Sequence, residues 1–60
     1  MNIAQLAQPY LPAVASITDD LERNNRICEI AFDMKRKMKA NSAFLIEFGT
    51  TLERLSTPKH

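Results

Sequence analysis

The chain has 60 residues, 45% hydrophobic and 25% charged, with a formal net charge of +1. That length allows one domain at most, and the composition is that of a globular rather than a disordered chain. A charge so near zero excludes both a nucleic-acid-coating polycation and an acidic mimic of DNA.

A chain this short buries only about 60% of its unfolded surface, so a lone monomer is marginal. Small domains are commonly reinforced by disulfides, a metal or oligomerisation. Cys28 is the one cysteine and His60, the last residue, the one histidine. An internal disulfide is impossible. A zinc site, which needs about four converging ligands, is not expected, and neither is a cofactor. Oligomerisation or a larger partner remains. The N-terminus lacks the basic region and apolar core of a signal peptide. The longest apolar run, Ala43 to Ile46, falls far short of the roughly 20 residues of a spanning helix. These features predict a cytoplasmic chain without membrane contact, and the single cysteine suits a reducing compartment.

In chain order, residues 2–8 predict a short helix, with Ile3, Leu6 and Ala7 on one side. Residues 9–15 hold Pro9-Tyr10-Leu11-Pro12 and predict a stiff, extended link. That link serves either as a docking motif or as a connector whose Tyr10 and Leu11 close one end of a core.

A long helix is expected over residues 16–40. Ser16 and Asp19 have the spacing of a capping box. Asp19, Asp20 and Glu22 put negative charge at its start, and Lys35, Arg36, Lys37 and Lys39 positive charge at its end. Glu22–Arg26 and Asp33–Lys37 have the spacing of supporting ion pairs. Its apolar residues, Ile17, Leu21, Ile27, Cys28, Ile30, Ala31, Met34 and Met38, spread over more than half the circumference. A helix resting on one layer needs a stripe only a little over 100° wide. This helix should therefore touch neighbours on two sides, with Cys28 a small core residue and Asn24 a polar interruption.

Residues 40–43, Ala-Asn-Ser-Ala, predict a turn: asparagine tolerates the left-handed conformation and serine caps the next helix. The alternative is one unbroken helix through Asn41. A second helix is expected over 42–56, with Phe44, Leu45, Phe48, Leu52 and Leu55 forming its stripe. Gly49 flanks that stripe, consistent with close approach of another backbone, and Ile46 points away from it. Residues 57–60 form a polar tail.

The two helices share one seam. Ile27, Ala31, Met34, Met38, Asn41, Leu45, Phe48, Leu52 and Leu55 follow at alternating steps of four and three. The expected fold class is all-α: a helical hairpin with a short N-terminal helix, two copies pairing into a four-helix bundle.

No catalytic group is expected. Cys28 has no base within the body of the chain, the paired carboxylates Asp19 and Asp20 read as helix-start charges, and one glycine cannot cradle a phosphate. The reading is a small non-enzymatic regulator that pairs with itself and binds a larger protein, such as a transcriptional regulator, inhibiting or sequestering it. Inhibitors and antirepressors carried by mobile genetic elements work at this size. Its expected protein-binding residues are Tyr10, Leu11, Ile30, Met34 and Ile46, those least easily covered by one hairpin. The alternative is a nucleic-acid-binding regulator using Arg36, Lys37 and Lys39, whose density a dimer would double.

Overall fold

The structure, a computed structural model, describes residues 2–57. All secondary structure among them is helical: α1 (Ile3–Ala7), a 3-10 turn (Gln8–Tyr10), α2 (Leu11–Ala15), α3 (Asp20–Lys37) and α4 (Ser42–Ser56). α3 and α4 form an antiparallel hairpin, and α1 and α2 lie across one side of it, chiefly against α4. The expected all-α hairpin with a short N-terminal helix is present. The tail residues 58–60 lie outside the described residues.

The prolines do not give an extended link. Pro9 occupies the first turn of the 3-10 segment and Pro12 the first turn of α2. In those positions a missing N–H costs nothing and the fixed φ is already helical. The segment is thus a broken helix.

The long helix begins later than Ser16. Ser16 Oγ donates to the Ala13 carbonyl at 2.8 Å, closing the end of α2 rather than opening α3. The cap of α3 is Asp19, whose carboxylate accepts from the Glu22 amide at 2.8 Å. Ile17 therefore lies in the connection and not on the helix. Arg23 fastens that connection, with Nη1 donating to the Ile17 carbonyl at 3.0 Å and Nη2 to Asp20.

The break near Asn41 is real, and its parts are shifted by a residue or two. Lys39, not Asn41, takes the left-handed conformation, with φ 53. The Ala40 amide donates to the Lys35 carbonyl at 2.9 Å, and the Lys39 amide to that of Arg36 at 3.2 Å. This is a Schellman stop built on a lysine where glycine is usual. Asn41 is then the cap of α4, its Oδ1 accepting from the Phe44 amide at 3.1 Å, and Ser42 is the first helical residue.

Ala7, Val14, Ile27, Ala31, Phe48 and Leu52 are the buried core. Phe48 is its centre, stacked on Phe44 at 5.6 Å and met edge-on by Tyr10 at 6.3 Å. Such aromatic pairs add about 0.5–1.5 kcal/mol each beyond the area they bury. The buried hydroxyl of Thr51 bonds to the Glu47 carbonyl and that of Ser56 to the Glu53 carbonyl, so neither is orphaned. The seam is buried at Ile27, Ala31, Phe48 and Leu52, and frays at Leu55, which is 44% exposed.

Candidate functional site: the open face of the hairpin

α1 and α2 cover only one side of the hairpin, so the other is left open. The apolar width of α3 predicted two neighbours, and the chain supplies both, α4 and the N-terminal segment; the open face lies beyond them. Tyr10, Leu11, Ile30 and Met34, expected to bind a partner, pack against the core on the covered side. The Tyr10 hydroxyl donates to Met34 Sδ at 3.3 Å, joining the N-terminal segment to α3. Of the five predicted contact residues, Ile46 alone stands clear, at 68% exposure.

Ile46 belongs to a shallow groove between α3 and α4. Cys28 and Phe32 form one wall, Leu45, Ile46 and Glu53 the other, and Ile27, Ala31 and Gly49 its floor. Phe32 is 57% exposed. Leu21, seven residues before Cys28 and hence on the same side of α3, is 70% exposed. Cys28 is exposed, not a core residue as its helical position suggested. Asn24 also lines the groove and is exposed, so it interrupts an open face rather than a buried seam.

Phe32 was missed by sequence reasoning. It lies at the far edge of the apolar arc, about 140° from Ile27 at 100° per residue. Its four-residue step from Cys28 was the available signal.

Gly49 does not owe its place to a tight intrachain crossing. A Cβ built there would meet Ala31 Cβ at 3.9 Å and Ile27 Cγ2 at 4.0 Å, ordinary contact distances.

At the basic end of α3, two of the four basic side chains pair with a single carboxylate. Lys37 Nζ lies 3.0 Å and Arg36 Nη2 3.3 Å from the Asp33 carboxylate. The hydrogen bond from Lys37, then that from Arg36, holds the Asp33 carboxyl below its usual value, and Asp33 in turn raises Lys37. Lys39 takes the left-handed backbone of the turn, and its side chain is exposed. Two of the three predicted nucleic-acid-binding residues thus share one carboxylate. Of the other expected pairs, Arg26 reaches Glu29 at 3.7 Å instead of Glu22.

Among the described residues no three His, Cys, Asp or Glu side chains are grouped as a metal would require. No described helix is long and apolar enough to cross a membrane. Comparison with protein-family models, curated proteins and solved structures finds no match to this chain.

Proposed function

We propose that this chain is a non-enzymatic regulatory protein acting by protein contact. In this reading it pairs with itself into a four-helix bundle, and it binds and inhibits or sequesters a larger protein such as a transcriptional regulator. The observation that carries the reading is the open face, where Leu21, Phe32 and Ile46 are 70%, 57% and 68% exposed in a 60-residue chain. Scattered exposed apolar residues need no explanation, but Phe32 and Ile46 line one groove with Cys28 and Leu45, and clustered exposed apolar surface is characteristic of interaction sites. The nucleic-acid reading is weaker, because Asp33 offsets charge that Arg36 and Lys37 would bring to phosphates.

The test compares capture from host lysate by the native chain, an Ile46→Asp variant and a Lys37→Glu, Lys39→Glu variant. Labelled duplex and hairpin RNA are titrated in parallel at two salt concentrations. The expected result is a protein partner retained by the charge variant and lost by Ile46→Asp. Salt-sensitive RNA binding lost in the charge variant, with no partner sensitive to Ile46, would overturn the proposal.

A further inference from the structure

We infer that the open face of α3 and α4 pairs with the same face of a second copy, the two α3 helices running antiparallel with Cys28 beside the two-fold axis. The inference rests on reading this face as a contact surface, and it adds the occupant and the register.

Three observations carry it. The first is size. An eighteen-residue helix is about 27 Å long, so α3 runs along the 33 Å dimension of the molecule. A face about 27 Å long and, at most, the 20 Å width of the molecule covers roughly 540 Å² per copy, about 1,100 Å² in total, which clears the roughly 1,000 Å² floor of a specific interface.

The second is polarity. Lys35 lies seven residues beyond Cys28, so it shares the open side of α3, at the turn end of the hairpin. Glu53 lines the groove from α4 at the opposite end. Among the described residues neither side chain has an ion-pair partner. A two-fold axis across the helices brings Lys35 to the same end as Glu53 of the second copy, twice by symmetry. A two-fold axis along the helices would keep like charges together at each end. The face is therefore complementary to itself in one orientation and not in the other. With a net charge of +1 per chain, overall repulsion between copies is slight.

The third is the position of Cys28. It has eight helical residues before it and nine after, Asp20–Ile27 and Glu29–Lys37. An antiparallel pairing of two α3 helices about their midpoints sets the two thiols near each other. Cys28 is not proposed as a working group; it reports the register.

The experiment uses the purified chain. Sedimentation at micromolar concentration is expected to give a dimer, dispersed by Ile46→Asp without loss of helical signal. Mild oxidation of the native chain is expected to trap a covalent dimer within minutes, absent from Cys28→Ser. Lys35→Glu and Glu53→Lys are each expected to weaken pairing roughly three- to tenfold, as two exposed ion pairs would, and together to restore it. A chain that stays monomeric would overturn the inference. So would a dimer that Cys28 cannot cross-link and that ignores the charge exchange. A monomer would also remove the self-pairing part of the proposed function; contact with a larger protein would then stand alone and be decided by the Ile46→Asp capture experiment, since in a chain that does not pair through this face that variant reads partner contact only.

Discussion

Replacing Gly49 with alanine should stabilise the folded chain. Gly49 is in the interior of α4, with a backbone that is not left-handed. Glycine at such a site costs about 1 kcal/mol relative to alanine, through the freedom it loses on folding. The new methyl would sit 3.9 Å from Ala31 Cβ and 4.0 Å from Ile27 Cγ2. Those are contacts rather than clashes, so burial of part of a methyl adds to the gain, at up to about 0.8 kcal/mol. The expected total is about 1–2 kcal/mol. For a chain of 60 residues, total stability is only about 3–9 kcal/mol, so the change is large. It corresponds to a rise in Tm of about 4–8 °C per kcal/mol. Urea unfolding followed by circular dichroism at low protein concentration is the assay, with a raised midpoint and an unchanged m value expected. A lowered midpoint with the same m would refute the reasoning, because it would mean the methyl does not fit between α3 and α4. Repeating the measurement at high concentration adds a second reading. If a second copy lies over the groove floor, the gain should shrink as dimer accumulates.

Lys39→Gly should stabilise by about 1 kcal/mol, since it relieves the left-handed backbone of the α3 stop; thermal unfolding checks it. Phe48→Ala should cost about 3–5 kcal/mol, because it removes the fully buried centre of the core and both aromatic contacts. That loss approaches the whole stability of the chain, and circular dichroism should show a largely unfolded population. Asp33 predicts a modest acid sensitivity. Lys37 and Arg36 depress its carboxyl in the folded state, so its contribution is present above the unfolded carboxylate value of about 3.9 and is lost as pH falls through the depressed folded value. Asp33→Asn should flatten that part of the stability–pH curve while leaving the neutral-pH fold intact.

Much of the fold was legible because local chemistry and periodicity agreed. The second helix shows this best: Phe44, Phe48 and Leu52 repeat at four, and Asn41-Ser42 precedes them with polar caps. The α2–α3 connection was misread because two local signals compete there. Ser16 has the spacing of a cap with Asp19, and its hydroxyl is instead taken by the Ala13 carbonyl. Asp19 precedes Glu22 by the same interval and is the cap. The sides of α3 were harder still. Ile30 and Met34 on one side and Cys28 and Phe32 on the other are equally apolar. Which side the chain covers is decided by where α1 and α2 dock, a tertiary choice that no single helical period records. Tyr10 and Leu11 looked free for a partner for the same reason.

The unequal lengths of the helices bear on the order of assembly. The connections Ser16–Asp19 and Met38–Asn41 are four residues each, but α3 and α4 have 18 and 15 residues whereas α1 and α2 have 5 each, too short to hold helical shape unsupported. Ala7 and Val14 complete the same core, and the expected order is that the N-terminal segment docks on the α3–α4 hairpin and is the first part to leave it. Amides of α1 and α2 should therefore exchange with solvent faster than those of α3 and α4. Each such opening briefly bares the covered flank of Phe48 while Ile46 and Phe32 remain uncovered on the other. The hairpin in that state is apolar on both sides, and proteolysis between Ser16 and Asp19, or aggregation, would start there.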